Sequence, residues 1–174
     1  MLVRNLVLGA AALLLMSVSP ALAHGPTPKK AEQTIVIDAP PEKVWAIAKE
    51  FGGMADWHPM VETVETADGT RTVTLKDGGK LVDSLDDSSD EEMSYSYRLD
   101  TPDIEHFPVS FYSATLDVNP ADGGSEVSWI GRFYRADTGN FPSESQNDEA
   151  AIAAMDEFLK TGLEGLKAKV EGGE

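Results

Sequence analysis

The chain changes its hydrophobic period several times after residue 32. QTIVID (33–38) is a compact β-branched run and predicts a strand. In APPEKVWAIAKEF (39–51), Val44, Ile47, Ala48 and Phe51 recur at helical spacing, so one face of a helix is buried. Proline stands where a first helical turn tolerates it, and Glu42 lies near the positive end of the helix dipole. Gly52 and Gly53 stop that helix, and MADW leaves room only for a short helical stub before Pro59.

Alternation with a period of two follows. A strand near 61–66 precedes RTVTLK (71–76), KLVDSL (80–85), MSYSYRL (93–99), VSFYSATLDV (109–118) and EVSWIGRFY (126–134). The turn segments ADGT (67–70), DGGK (77–80) and NPADGG (119–124) supply the positive backbone dihedrals of tight hairpins. The result is an antiparallel meander with one apolar face. Tyr95, Tyr97 and Leu99 share that face, as do Tyr112, Ala114, Leu116 and Val118, and then Val127, Trp129, Gly131 and Phe133. Rings and small residues side by side either line a cavity or fill a core. Arg98, Arg132 and Tyr134 fall on the opposite face.

ESQNDEAAIAAMDEFLKTGLEGLKAKV (144–170) restores the helical period. Ile152, Met155, Leu159, Gly162, Leu166 and Val170 form a stripe, and Asn147, Asp148 and Glu149 suit the helix start. A long amphipathic helix after a meander packs across the sheet's concave face.

This order of elements, carried by IVIDAPPEKVWAIAKEFGGMADWHP (35–59), LKDGGKLVDSL (75–85), YSYRL (95–99) and FYSATLDVNPADGGSEVSWIGRF (111–133), resembles the Bet v 1-like, START-type superfamily, in its polyketide cyclase/dehydrase-like branch. The resemblance implies an α+β helix-grip fold. Its seven-stranded curved antiparallel sheet wraps a long C-terminal helix, with two short helices after strand 1. It also implies a cavity for a small apolar ligand and sets Trp57, His58 and Pro59 at its mouth. Candidate cavity residues are then Trp57, His58, Tyr95, Tyr97, Phe107, Tyr112, Trp129, Phe133, Met155 and Leu159, with Phe158 beside the last two.

The amino terminus adds a location. Arg4 precedes an apolar run from Leu6 to Met16, and ALA closes the segment at 21–23, the pattern of a secretory signal peptide cleaved after Ala23. The run is far shorter than the roughly 20 residues of a membrane-spanning helix. Residues 24–31 read as a flexible arm and 32–172 as one domain, exported to a periplasm. His24 could chelate copper through its amine and ring, but no motif links it to His58 or His106, and no metal site is expected.

Without Arg4, 13 of the 14 basic residues face 30 acidic ones, a mature formal charge of −17 against −16 for the full chain. Nucleic acid is thereby disfavoured, and a basic protein surface is a suitable partner. There is no cysteine, so thiol chemistry and disulfides are excluded. The acidic run DSLDDSSDEE (83–92) lacks the spacing of a calcium loop and reads as a solvated hairpin tip.

The signal peptide, the HGP start, KVWAIAKEFGGMADWHP and the acidity are together similar to the periplasmic MxaD proteins of methanol-oxidation clusters. That resemblance implies an accessory role beside a quinoprotein methanol dehydrogenase and its c-type cytochrome. A cyclase or dehydratase would need a proton acceptor and an oxyanion donor. His58, Tyr97, His106 and Arg132 are the candidates, but alternation turns only Tyr97 inward, so no catalytic residue is assigned and no cofactor is expected.

Overall fold

A computed structural model describes residues 26–173, so the signal-peptide reading and His24 lie outside the described residues. The strands are β1 (Lys29–Ile37), β2 (Val61–Ala67), β3 (Thr70–Leu75), β4 (Lys80–Ser89), β5 (Ser94–Thr101), β6 (Val109–Ala121) and β7 (Gly124–Arg135). Helix α1 (Pro41–Ala48) and a 3-10 turn (Met54–Asp56) follow β1, and α2 (Asp148–Gly172) closes the chain. One antiparallel sheet runs in the order β1-β7-β6-β5-β4-β3-β2. It is the expected helix-grip arrangement, of seven strands around one long helix.

β1 starts earlier than expected. Lys29, Lys30 and Ala31, assigned to the flexible arm, pair with Phe133, Arg132 and Gly131 of β7. Ala31 is buried, and Lys29 reaches Asp148 at the start of α2 at 2.8 Å, so a lysine pair that reads as linker has both a ladder and an anion to hold it.

Register shifts at Val61/Thr63, Val82/Asp83, Leu85/Asp87 and Val109/Phe111 bend the sheet. Its concave face carries the three rows that alternation grouped, all of them buried, while Arg98 and Arg132 lie outside as expected. α2 buries Ala151, Met155, Phe158, Leu159, Gly162, Leu163, Leu166 and Val170 in that concavity. Ile152, expected in the stripe, is 36% exposed, because Ala151 takes the inward position of the first turn. In α1, Trp45 is buried with Val44 and Ala48, and its indole N–H donates to Asp90 of the β4–β5 turn at 2.7 Å.

Two glycines decide how closely α2 approaches. A Cβ on Gly162 would stand 2.6 Å from Trp129 and 2.7 Å from His58, and one on Gly165 would stand 2.0 Å from the carbonyl oxygen of Trp57. Across the sheet, Gly131 makes the same kind of room for Met155, whose sulfur would lie 3.2 Å from a Cβ there.

Gly165→Ala should therefore cost about 1–3 kcal/mol through overpacking, with Gly162→Ala in the same range. Gly172→Ala, with nothing within 4 Å of its added methyl, should be neutral or slightly stabilising. Thermal unfolding of the three variants checks the order; equal melting temperatures would refute the close approach.

Candidate functional site

The interior between α2 and the sheet is a continuous cluster of rings. Trp45 meets Tyr95, Tyr95 meets Tyr97, Tyr97 meets Tyr112, Tyr112 meets Phe107, Phe107 meets Phe158 and Phe158 meets Trp129, with centroid separations of 5.6–6.4 Å. Trp57 adds a ring 5.8 Å from Trp129, and His58 stacks 4.2 Å from Phe158. All ten candidate residues are buried, from Trp129 and Phe133 at 0% exposed to Trp57 and Tyr112 at 5%. They are brought together, and they touch one another.

Trp57 and His58 sit deeper than the mouth of a cavity. Both follow the 3-10 turn and pack under α2, and with Pro59, Gly165 and Lys169 they line an open cleft of about 340 Å³. The His58 ring is fully engaged. The Met60 amide donates to Nδ1 at 3.2 Å, and Nε2 lies 3.0 Å from the Phe158 carbonyl. An amide N–H can only donate and a carbonyl can only accept, so the ring is the neutral tautomer with its hydrogen on Nε2. Burial, reinforced by the positive charges of Arg71 and Lys76, outweighs the Phe158 bond and lowers its pKa to about 4.

The polar centre of the interior was not among the sequence candidates. Arg71 and Asp83 stand directly opposite in the β3–β4 register, each side chain 1% exposed, with Nε to Oδ2 at 2.9 Å. The guanidinium lies 4.1 Å from the Phe51 ring centre and 4.5 Å from that of Tyr97, and donates to the Phe51 carbonyl at 3.1 Å. The Tyr112 hydroxyl donates to the second oxygen of Asp83. Burial opposes the charge of Arg71 and the Asp83 carboxylate favours it; the pKa lies above its ordinary value and the group stays protonated. Burial pushes the Asp83 carboxyl up, against the pull of Arg71 and of Tyr112. Asp83 thus corrects the reading of 83–92 as a solvated tip: the run begins in the core, β4 continues to Ser89, and only residues 90–93 form the turn. Alternation carried the signal, since Arg71 shares parity with Val73 and Leu75, and Asp83 shares it with Leu81.

Of the four residues weighed for acid-base work, only His58 and Tyr97 are inside. Trp129 donates to the Tyr97 hydroxyl at 3.2 Å, and burial raises the Tyr97 pKa. His106 is on the surface, with Nδ1 3.0 Å from Asp103, whose hydrogen bond raises the His106 pKa. Arg132 is exposed on the convex face. The buried polar side-chain atoms without partners among the described residues are Trp57 Nε1 and the Tyr95 hydroxyl, the latter beside Arg71.

A family model described as polyketide cyclase / dehydrase and lipid transport matches residues 28–171. The chain belongs to that family. No curated protein matches it in sequence. Among solved structures, XoxI of Bacillus cereus superposes with a TM-score of 0.72 at 24% identity, covering 82% of this chain and 95% of that one. Ara h 8.0201 gives 0.65 at 16% identity, over 84% and 99% of the two chains. The ZhuI aromatase/cyclase of Streptomyces sp. R1128 gives 0.62 at 18%, over 84% and 93%. At these identities the likeness is one of fold. The family unites ligand-binding and cyclase-type proteins, and in this member a cluster of rings lies between α2 and the sheet.

Two outcomes follow for this interior. His58 is neutral in the folded chain, whereas the unfolded chain binds a proton below pH 6.5, so its stabilisation is complete above that value and lost as the pH falls toward about 4. Wild type should lose about 2 kcal/mol more than His58→Gln between about pH 7 and pH 5 in urea titrations. Parallel losses would contradict the assignment. Arg71→Met should cost about 3–5 kcal/mol by leaving Asp83 uncompensated, and adding Asp83→Asn should recover about half or more. A double variant no more stable than the single one would show that the pair is not coupled.

Proposed function

We propose that this protein is a non-catalytic accessory factor, exported to the periplasm and resembling the MxaD proteins, that acts by contact with a quinoprotein methanol dehydrogenase or its c-type cytochrome. The observation that carries the reading is the internal pairing of the buried titratable groups His58, Arg71 and Asp83. His58, Arg71 and Asp83 each spend their charge or their ring nitrogens on internal partners, so none is free to exchange a proton with a substrate.

What remains available is charge on the outside. The β4–β5 end presents Asp86, Asp87, Asp90, Glu91 and Glu92. Trp45 and Lys49 tie Asp90 to α1, and Arg98 pairs with Asp86. Asp87, Glu91 and Glu92 are left facing solvent, and the last two border a cleft of about 400 Å³ with Glu42, Met93 and Pro120. Acidity held in place on this hairpin favours steered encounter with a basic protein surface.

Binding of the purified mature protein to the dehydrogenase or the cytochrome should weaken about tenfold or more as salt rises from about 0.05 to 0.5 M, because exposed charges are screened within about 10 Å at 0.1 M. The triple variant Asp87→Asn/Glu91→Gln/Glu92→Gln should associate more slowly. Affinity that ignores salt, or no binding to either protein, would refute the proposal.

A second reading, a carrier for a small apolar molecule, is favoured by the two unpartnered donors, Trp57 Nε1 and the Tyr95 hydroxyl, inside an apolar cluster. Native mass spectrometry of protein purified from its own host distinguishes the two: a bound lipophile that Tyr95→Phe releases supports the carrier.

A further inference from the structure

The connection between β7 and α2 is built around a single arginine. Arg135 donates from Nε to the Asp137 carbonyl and from Nη2 to the Gly139 carbonyl, both at 2.7 Å, and its Nη1 lies 3.2 Å from Asp148. The Gly139 amide donates to the Asp137 carboxylate at 2.7 Å, Asp137 N–H donates to the Gln146 carbonyl at 3.2 Å, and Gln146 N–H donates to the Ser143 carbonyl at 3.1 Å. At the far end Asn147 caps α2 by accepting from the Ala150 amide at 2.9 Å. This loop is therefore fixed at both ends, and the ends are tied to each other.

At the apex of that framework stands Phe141, between Asn140 and Pro142, with 94% of its surface exposed. The other large apolar residues that reach solvent are far less open: Val36 at 48%, Phe111 at 40% and Ile152 at 36%. Phe111 lies opposite Tyr134 in the β6–β7 register and Ile152 lies in the first turns of α2, so both flank the same end of the fold. A phenyl ring on a loop whose base is already fixed leaves only its own short segment to order when a partner covers it. That is the behaviour of an interface anchor.

Charge selects the occupant. Lys29 and Arg135 are both committed to Asp148, at 2.8 and 3.2 Å, while Asp137 and Glu144 of the loop and Glu149 of the first turn of α2 add three further acids to this end. Such a rim repels an anionic membrane, and it repels a second copy of a chain whose formal charge is −16. It suits a protein surface in which an apolar pocket is ringed by Lys and Arg. We propose that Phe141 is the anchor by which this protein docks such a partner. The inference rests on the accessory reading above and places the docked contact at the end of the molecule where α2 begins, with the acidic β4–β5 end, at the other end of β6, steering the encounter.

The test is the affinity of the mature protein for purified methanol dehydrogenase and for its cytochrome acceptor from the same organism, measured by calorimetry at low salt. Phe141→Ala should weaken binding about tenfold or more with an unchanged melting temperature, Phe141→Trp should retain it, and Val36→Ala should leave it unaltered. If wild type binds and Phe141→Ala binds equally well, the anchor is refuted while the accessory role stands. If wild type binds neither protein, both fall. Two further outcomes also overturn the assignment: a homodimer that Phe141→Ala dissolves, and phosphatidylglycerol vesicles that wild type binds and the variant does not.

Discussion

The fold depends on how closely a helix can lie against the segment Trp57-His58-Pro59. Gly162 and Gly165 present bare backbone to that segment, so the rings of His58 and Trp129 enter the space a side chain at 162 would take, and the Trp57 carbonyl and the Pro59 ring enter that of a side chain at 165. The Phe158 carbonyl, one turn before Gly162, then becomes the acceptor for His58. Tight packing follows from a deletion of volume on the helix and an addition of rings on the loop, and their shapes match only if the ring stays neutral. A charged imidazolium there would be desolvated without an anion to face it.

The same economy explains why a family of ligand-binding and cyclase-type proteins includes a member whose grip is so full. Tyr95, Tyr97, Tyr112 and Trp129 of the sheet meet Phe51, Phe107 and Phe158 from the segments that cover it, and Phe51 and Tyr97 lie over the one buried ion pair among the described residues. Arg71 and Asp83 join neighbouring strands at the register position where the sheet begins to bend, and the Arg71 bond to the Phe51 carbonyl ties the end of the α1 segment to that point. A buried pair of this kind adds little net stability over apolar residues but penalises any register other than its own. The proposed contacts therefore lie outside the core, at the acidic β4–β5 end and on the loop that carries Phe141.

Much of this was legible in the chain. Period-two alternation separated Tyr95, Tyr97, Tyr112, Trp129 and Phe133 from Arg98 and Arg132, because a sheet with one buried face fixes side-chain direction by parity alone. The long helix was legible from its stripe, apart from Ile152, whose role Ala151 takes in a first turn where spacing permits either. The ion pair was harder to see. Asp83 opens a run rich in acids and reads as surface by composition, although its parity with Leu81 turns it inward. The state of His58 was not legible, since both its partners are backbone atoms, one of them 100 residues away. The anchoring of the two ends of the loop that carries Phe141 likewise rests on carbonyl contacts that no residue pattern encodes.

The central claim, that His58 is a neutral structural ring locked between Met60 and Phe158, is tested most directly by nitrogen NMR of the imidazole in the folded protein. The account predicts one resonance of a protonated nitrogen at Nε2 and one of a bare nitrogen at Nδ1, unchanged from pH 7.5 down to about pH 5. A ring that becomes doubly protonated near pH 6.5, or that carries its hydrogen on Nδ1, would contradict it.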